Sequence, residues 1–371
     1  MVNKSRQSYA RPVRTMKNDP ASVLPKAEKP AAGIRDLAAH LGISIGTVSR
    51  ALNNRPDVNP ETRLRVIEAA QALGYVPQQS GRSLRQGTTH TVGLLWEIPG
   101  GREAYGEPFF LSLFGGTQQG LSAGGYDLVV MLDQPAAAAD PLARLRRIVQ
   151  RREVDALILP WTRAEDSRLD YLAETGIPFV TLGRSLSGGA HPWIDLDFET
   201  AGEFAARRFA QAGHQHIAIG LPAEDLMQKR FFLAGYREGL AAGGVAFDPA
   251  LVAEGAVTPS GGYAIACRLL DQSPRPTAIL LIDSSMAVGL YRRLAELGLR
   301  CGQDVAVIGG VHDTPVTEFL VPALTCFSLD TAALGRRLAE VLLARLKGGA
   351  DRQGELWPLE FLQRQSDAAG G

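Results

Sequence analysis

A regular alternation of apolar, strand-like runs and amphipathic helical patterns begins at Thr91 and constrains the fold more than any other feature. Val92–Trp96 and Ala156–Leu159 are two of the short apolar runs, and Phe110–Ala123 and Thr200–Ala212 are two of the helical patterns. This alternation is typical of parallel sheets covered by helices. It continues for too many residues to fit one sheet of ordinary size. We therefore predict two doubly wound lobes with a cleft at the strand ends between them.

The segment before this alternation, residues 33–77, predicts three short helices instead. Gly42 stops the first helix, and Ser44 is a good N-cap for the second. Asn59 is the expected N-cap of the third helix, and Gly74 is its expected C′ residue. Two short helices joined by a glycine-containing turn are typical of a helix-turn-helix, whose second helix enters the DNA major groove.

The third helix should bury one apolar stripe against the first two helices. Its apolar residues recur at helical spacing: Leu64, Ile67, Ala70 and Leu73. We take these four positions as the buried face of the third helix.

The words DLAAHLGIS, TVSRALN, TRLRVIEAAQALGYVPQ and SLRQG resemble the headpiece of the lactose-repressor (LacI/GalR) family of transcription regulators. They stand in the order and spacing of that family over about fifty residues, which is far more specific than a lone helix-turn-helix pattern. Beyond residue 90 the same family resembles type I periplasmic sugar-binding proteins. The resemblance therefore implies an α + α/β fold: a helix-turn-helix headpiece, a hinge helix and a two-lobed body.

The resemblance also implies which side chains read operator DNA. Ile45 and Gly46 open the recognition helix at the two base-reading positions, and Arg50 is the best candidate for guanine readout. Residues 78–85 resemble the hinge helix, in which Leu84 would be wedged into a base step. The predicted DNA-binding residues are Ile45, Gly46, Thr47, Ser49, Arg50, Asn53 and Leu84.

In the body, the resemblance implies a small sugar bound between the lobes. An aromatic residue after the first strand would stack on the sugar, and carboxylates and guanidinium groups would bracket its hydroxyls. For each of these residues a surface ion pair or a loop cap is an equally good explanation. The predicted effector-binding residues are Phe109, Phe110, Asp166, Arg168, Arg184, Trp193, Arg230, Asp283 and Asp313. The segment from His191 to Asp195 also adds a carboxylate.

Two departures from the family pattern bear on the effector. Phe232 stands where the family usually has an arginine, three residues before the glycine of its L-x-G-Y word, so Arg230 is the candidate for that role. The family word V-I-G-Y-D-D has one extra residue here, which leaves either Asp313 or His312 to supply its carboxylate-like contact. The sequence lacks a Lys/Arg-and-Gly phosphate cradle, which favours a neutral sugar over a sugar phosphate.

Charge is distributed unevenly along a chain that is neutral as a whole. Residues 1–90 hold 14 Lys and Arg against 6 Asp and Glu, and the remainder holds 25 against 33. A basic head on an acidic body fits a DNA reader carried by a soluble sensor. The first 32 residues, with seven basic and two acidic side chains, lack an apolar period, and we predict a disordered basic arm there.

Several function classes find little support in the sequence. Residues 42–46 match G-x-S-x-G, but a helix precedes the serine where a hydrolase needs a strand. Cys267, Cys301 and Cys326 are not at metal-binding spacing, no signal peptide is evident, and no apolar run spans a bilayer. We expect no catalytic residues, no metal and no cofactor. The alternatives are a solute-binding protein without a regulatory role and an enzyme on a doubly wound fold.

These observations predict a cytoplasmic transcriptional regulator, most simply a repressor of carbohydrate-utilisation genes. Its parts would be an arm (1–32), a headpiece (33–77), a hinge and linker (78–90) and an effector-binding body (91–371). No leucine heptads follow the closing segment PLEFLQRQS, so we expect a homodimer that reads a pseudo-palindromic operator.

Overall fold

A computed structural model describes residues 33–52, 54–75, 88–97, 107–133, 140, 142–311, 314–349 and 354–368. The described residues form two compact units, one within residues 33–75 and one from residue 88 onward. The predicted arm and hinge helix, together with Asn53, Leu84, His312 and Asp313, lie outside the described residues.

The first unit is a bundle of three short helices around one small core. The helices are α1 Ile34–Leu41, α2 Ile45–Leu52 and α3 Pro60–Ala72. The predicted caps are confirmed: Gly42 and Gly74 have left-handed backbones, with φ of 65° and 63°. The Asn59 side chain accepts a hydrogen bond from the Glu61 N–H at 2.8 Å. The end of α1, the start of α2 and both ends of α3 thus lie where the sequence predicts.

The stripe predicted for α3 is wrong in part. Leu64 and Ile67 are 58% and 40% exposed, whereas Val66 and Ala69 are buried against α1 and α2. Because α3 also touches the turn before it, the face that packs is rotated by about one residue from the apolar stripe. Arg63 Nη2 donates to the backbone carbonyl of Arg55 at 2.6 Å, which ties α3 to that turn.

The second unit contains the two predicted lobes, and the doubly wound architecture is confirmed. Within the described residues, the first lobe has a parallel sheet in the order β11-β5-β4-β3-β1-β2. Its strands are β1 Thr91–Glu97, β2 Asp127–Asp133, β3 Ala156–Pro160, β4 Phe179–Leu182, β5 Trp193–Leu196 and β11 Glu355–Trp357. Its helices are α4 Glu107–Ser122, α5 Ala143–Gln150, α6 Ser167–Thr175 and α12 Thr331–Leu346.

The second lobe has a parallel four-stranded sheet in the order β7-β6-β8-β9, with an antiparallel pair, β10 and β12, beside it. Its strands are β6 Ile217–Pro222, β7 Val252–Gly255, β8 Ala278–Leu281, β9 Ala306–Ile308, β10 Cys326–Ser328 and β12 Glu360–Leu362. Its helices are α7 Phe198–Gln211, α8 Met227–Ala242, α9 Pro259–Leu270, α10 Ser285–Glu296 and α11 Pro315–Phe319.

The chain passes between the lobes more than once, which sequence patterns alone did not show. Helix α12 follows a strand of the second lobe yet packs against α4 of the first. Gly116 and Gly335 permit this contact, because a Cβ at Gly116 would strike the backbone carbonyl of Ala332. Strand β11 then pairs with β5 at the edge of the first sheet, in register Leu356 to Asp195. The two lobes are thus joined by several crossings, which hold the cleft between them.

Strands β5, β7, β10 and β11, the short helix α11 and the 16-residue helix α12 were not predicted, whereas the other long elements were placed within about three residues. In the described part of the chain, no helix is both long and apolar enough to cross a bilayer.

Candidate DNA-reading helix and effector cavity

Helix α2 presents the predicted DNA-reading residues on the outer side of the headpiece. The Ser44 hydroxyl caps the helix, accepting the Thr47 N–H at 3.1 Å and lying 2.9 Å from the Thr47 hydroxyl. Val48 and Ala51 are buried in the headpiece core, whereas Ile45 is 45% exposed. The burial of one face leaves the opposite face available for a groove.

The other predicted DNA contacts that the structure describes lie on the same helix. Gly46 and Arg50 are exposed, and Thr47 and Ser49 are half-buried. The guanidinium of Arg50 lies 3.7 Å from Asp57, and both side chains are more than half exposed. An exposed pair of this kind contributes little, so Arg50 can exchange Asp57 for a base or phosphate at small cost. Asn53 and Leu84 are outside the described residues.

A cavity of about 700 Å³, counted with its open mouth, lies at the carboxyl ends of the strands of both lobes. This is where ligands bind in open α/β sheets. Its lining from the first lobe and the crossing to α7 is Phe109, Phe110, Pro160, Trp161, Thr162, Leu182, Gly183, Asp195, Leu196 and Phe198. The second lobe adds Leu226, Gln228, Val257, Ile282, Asp283 and Val311.

Aromatic rings form one wall of the cavity. Phe109 and Phe110 were predicted to contact the effector, and the structure places both in the lining. Their ring centroids are 4.9 Å apart, and the Trp161 ring lies 5.9 Å from that of Phe110. Such a wall offers flat apolar faces to the C–H side of a ring-shaped ligand.

The polar groups of the lining are acidic or neutral. Asp195 and Asp283 contribute carboxylates, 3% and 7% exposed, and Thr162 and Gln228 contribute a hydroxyl and an amide. The Asp283 carboxylate accepts from the N–H and the hydroxyl of Ser285, at 2.8 and 2.5 Å. Among the described lining residues there is no lysine or arginine. The cavity therefore suits a ligand rich in hydroxyl donors and free of negative charge.

Arg184 lies behind the Asp195 carboxylate and does not itself line the cavity. Its Nε donates to Asp195 Oδ2 at 2.7 Å, and its guanidinium lies 3.4 Å from the ring centroid of Phe231, on the other lobe. Its Nη2 is buried and has no partner within the described residues. Burial raises the pKa of Asp195, and the hydrogen bond and charge of Arg184 oppose that rise only in part.

Asp166 and Arg168 do not line the cavity, contrary to the role predicted for them. Arg168 donates from Nε and Nη2 to the two Asp166 oxygens, at 2.8 and 2.6 Å. Its Nη1 donates to Glu97 at 2.8 Å, and its side chain is only 3% exposed. Asp166 is the N-cap of α6, and Arg168 follows it by two residues, so the two side chains lie close together. They meet each other's hydrogen-bonding needs within the lobe.

Trp193 and Arg230 also lie away from the described lining. Trp193 stands on β5 with Gly354 packed so closely on its indole that a Cβ there would clash. Arg230 is half exposed and binds Asp225 through two hydrogen bonds, of 3.0 and 2.6 Å. Phe232, which replaces the usual arginine of the family, is fully buried in the lobe. Asp313 lies outside the described residues.

Trp161, Thr162 and Gln228 line the cavity but were not among the predicted binding residues. Trp161 and Thr162 directly follow Pro160, the last residue of β3, so the rule that sites form at strand ends could have found them. Gln228 is in the first turn of α8, and no comparable sequence signal marks it. Among the described residues, no three His, Cys, Asp or Glu side chains gather as metal ligands would.

Comparison with known proteins agrees with both units. Residues 33–78 match the family "Bacterial regulatory proteins, lacI family", and residues 206–366 match "Periplasmic binding protein-like domain". The chain is 35% identical over 342 residues to the HTH-type transcriptional regulator AglR of Rhizobium meliloti (strain 1021), covering 90% of this chain and 93% of AglR. It is 32% identical over 314 residues to the HTH-type transcriptional regulator CelR of Thermobifida fusca, covering 84% and 91%.

Solved structures show the same architecture. A structure of the transcriptional regulator CelR–cellobiose complex aligns with a TM-score of 0.69 at 30% identity, over 90% of this chain and 99% of that one. The Lac repressor dimer bound to operator and an anti-inducer aligns with a TM-score of 0.78 over 91% and 99%, and at 23% identity it shows the shared fold. The chain belongs to the LacI family of bacterial regulatory proteins, as a DNA-binding transcriptional regulator with a helix-turn-helix headpiece and a two-lobed body.

Proposed function

We propose that the affinity of this regulator for operator DNA changes when a neutral sugar binds in the cavity between the two lobes. The observation that carries this proposal is the chemistry of the lining: an aromatic wall faces two buried carboxylates, with no basic side chain among the described lining residues. Hydroxyl groups donate to carboxylates, and sugar C–H faces pack on aromatic rings. A relative of similar length and 30% identity has been solved with cellobiose bound.

The effector contacts follow from the same lining. We propose that Phe109 and Phe110 stack on the sugar and that Asp195 and Asp283 accept its hydroxyls. Arg184 holds Asp195 in place, and Asp313 remains a candidate from the sequence. We withdraw Asp166, Arg168, Trp193 and Arg230 as direct contacts, because each is engaged elsewhere in the body.

For DNA, we propose that a homodimer reads a pseudo-palindrome through the two α2 helices. Ile45, Gly46, Thr47, Ser49, Arg50 and Asn53 would meet the major groove, and Leu84 would enter the minor groove between the half-sites. The boundaries would be those of a headpiece at 33–77, a hinge at 78–90 and a body at 91–371. Such a protein acts in the cytoplasm, where the chromosome is, and it needs no catalytic chemistry.

The effector proposal is tested by calorimetric titration with glucose, ribose, cellobiose and glucose 6-phosphate. We expect binding of at least one neutral sugar and no measurable binding of the phosphate ester, because the phosphate would meet Asp195 and Asp283 without a cation in the lining. Tighter binding of glucose 6-phosphate than of glucose would contradict the proposal. So would the absence of binding by all the neutral sugars.

The DNA proposal is tested by selecting binding sites from random duplexes and measuring affinity against salt. Arg50→Ala should weaken binding to the selected site by about 1–3 kcal/mol and relax the preference at one base pair. Arg147→Ala, which removes an exposed arginine from helix α5 of the body, serves as the matched control and should leave affinity unchanged. A selected site without two-fold symmetry would contradict the dimeric reading mode.

A further inference from the structure

The backbone of Trp161 is unusual for a bulky residue. Its φ is +62°, in the left-handed region that large side chains rarely adopt. It follows the last residue of β3 and lines the cavity. A conformation of this kind persists only where the surroundings impose it, and such residues cluster at binding sites.

The buried ion cluster behind Trp161 supplies that restraint. Arg168 Nη2, which also binds Asp166, donates to the Trp161 carbonyl oxygen at 3.0 Å. Glu97 anchors Arg168 from the adjacent strand at 2.8 Å and accepts from Arg163 at 2.7 Å. The cluster spans β1 and the segment from Trp161 to Arg168, so it fixes the chain on both sides of the indole. On the cleft side, the Thr162 carbonyl accepts from the Met227 N–H at 3.1 Å, which ties the same segment to the other lobe.

The indole nitrogen of Trp161 has no hydrogen-bond partner within the described residues, although the atom is buried. A buried N–H donor without an acceptor is costly, and native proteins normally pair it. The ring itself is held by contacts with Trp96 and Phe110, at centroid distances of 6.3 and 5.9 Å. The donor therefore belongs to a cavity-lining side chain that its neighbours hold in place, and none of the described residues supplies an acceptor.

We propose that Trp161 is a specificity-determining residue whose indole N–H donates to an oxygen of the bound sugar. Arg168, Asp166 and Glu97 are positioning residues that act through Trp161 and do not touch the ligand. The lining then offers a fixed donor on the Trp161 side and acceptors at Asp195 and Asp283, so the sugar is read in one orientation. This inference rests on the proposed function, because it takes a neutral sugar as the occupant.

The donor is tested by titrating cellobiose, glucose and ribose into the full-length protein and three variants. Trp161→Phe keeps a ring and removes the N–H. Benzothienylalanine at position 161 keeps the shape of the indole and replaces its N–H by sulfur. Trp357→Phe, a change on β11 outside the cavity lining, is the matched control. We expect affinity for the sugar that binds the wild type to fall about tenfold in both position-161 variants, the loss of one hydrogen bond, and to stay unchanged in Trp357→Phe.

Two outcomes separate this inference from the proposed function. Wild-type binding with equal affinity in the benzothienylalanine variant would overturn the donor role of Trp161 and leave the sugar proposal intact. No binding of any of the three sugars by the wild type would overturn the sugar proposal and, with it, the sugar as the acceptor for Trp161. If Trp161→Phe does not fold, as judged by thermal unfolding, the isosteric variant decides.

The positioning role is tested by Arg168→Lys, which keeps the charge but cannot hold Asp166, Glu97 and the Trp161 carbonyl together. We expect about a tenfold loss of sugar affinity in the wild-type background and less than about a twofold loss in Trp161→Phe, because the effect passes through the indole. Arg208→Lys, at another arginine paired with a buried aspartate, should leave sugar affinity unchanged in both backgrounds.

A protein in which Trp161 is the sole tryptophan should show an altered fluorescence emission maximum when Arg168→Lys is introduced. An unaltered emission, or an equal affinity loss in both backgrounds, would overturn the positioning role.

Discussion

The first lobe contains two aspartate–arginine pairs, Asp166–Arg168 and Asp195–Arg184. Both were predicted from the sequence to bind the effector, but their surroundings in the structure differ. The Arg168 guanidinium donates to Asp166, Glu97 and the backbone carbonyl of Trp161, and neither of these two carboxylates lines the cavity. Arg184 donates to the Asp195 side chain through Nε alone, and Asp195 lines the cavity. The Nη2 of Arg184 is buried and has no hydrogen-bond partner among the described residues. One pair is satisfied internally, and we propose that a ligand completes the other.

The difference shows that composition at a strand end does not decide function. What matters is how many hydrogen bonds the charged side chain already makes within the protein. A group whose hydrogen-bonding capacity is fully used there has none left for a ligand. The pKa directions agree with this division. Burial alone would raise the pKa of Asp166, but the hydrogen bonds and charge of Arg168, with those of Arg163, lower it below its ordinary value. Burial raises the pKa of Asp195, where a single hydrogen bond from the Arg184 side chain does not offset it.

The largest expected effect is on stability, at the saturated pair. Arg168→Met leaves Asp166 and Glu97 buried without their partner, and the free energy of unfolding should fall by about 3–5 kcal/mol. Arg184→Met should cost less than about 2 kcal/mol, because Asp195 can take up a proton beside the cavity. Urea unfolding of both variants measures the contrast. Equal losses would erase the distinction between the two pairs.

The next effect is on sugar affinity, at the pair beside the cavity. Asp195→Asn should weaken binding by about 10- to 100-fold, the loss of a hydrogen bond to a charged acceptor, while the free energy of unfolding stays the same or rises. Calorimetry with the sugar that binds the wild type measures the change. Asp225→Asn, at an exposed carboxylate paired with Arg230, is the matched control. A stable Asp195→Asn protein with wild-type affinity would remove Asp195 from the site.

A smaller effect is expected where Arg184 crosses to the other lobe. Phe231→Leu removes the ring under the guanidinium, an interaction of about 0.5–1 kcal/mol, so sugar affinity should fall about two- to fivefold. Phe247→Leu removes the ring under Arg237, which lies 4.3 Å from its centroid, and affinity should be unchanged. Equal effects of the two substitutions on sugar binding would show that the stack under Arg184 has no special role.

The smallest effect is a pH dependence of opposite sign at the two aspartates. Because burial raises the pKa of Asp195, its ionised form lowers the free energy of unfolding at pH values above that pKa. As pH falls from neutral towards the ordinary aspartate value near 4, the wild type should therefore gain stability relative to Asp195→Asn. The lowered pKa of Asp166 gives stability that is complete above the ordinary value and lost as pH falls below it.

Accordingly, the wild type should lose stability relative to Asp166→Asn only below a pH of about 4. Urea unfolding across this range measures both slopes. The same sign at the two positions would contradict the assignment of one pair as satisfied and the other as open.

Much of the fold could be predicted from the sequence because its signals are local. Caps such as Ser44 and Asn59 and the period of the longer helices depend on neighbours within one turn. Strand β11 was missed because its partner, β5, lies more than 100 residues away in the chain. Leu64 was misplaced because an apolar side chain on a small bundle can remain exposed when packing selects the adjacent face.

The cavity was predicted only in part for the same physical reason. Phe109 and Phe110 follow a strand and do line it, and Asp283 does as well. The sequence could not show that Arg168 would bind Glu97, 71 residues earlier in the chain. It also could not show that Arg230 would pair with Asp225. Nor does any residue pattern mark the left-handed backbone of Trp161, whose carbonyl accepts a hydrogen bond from Arg168.

Control of DNA binding by the sugar is tested most directly by operator affinity measured against sugar concentration in the wild type and in Asp195→Asn. With the selected operator and the sugar that binds by calorimetry, the wild-type dissociation constant for DNA should change by about 5- to 150-fold at saturation. Asp195→Asn should bind the same DNA and respond only at roughly 10- to 100-fold higher sugar concentration. A wild-type protein that holds its operator equally well with the cavity empty and saturated would contradict the account.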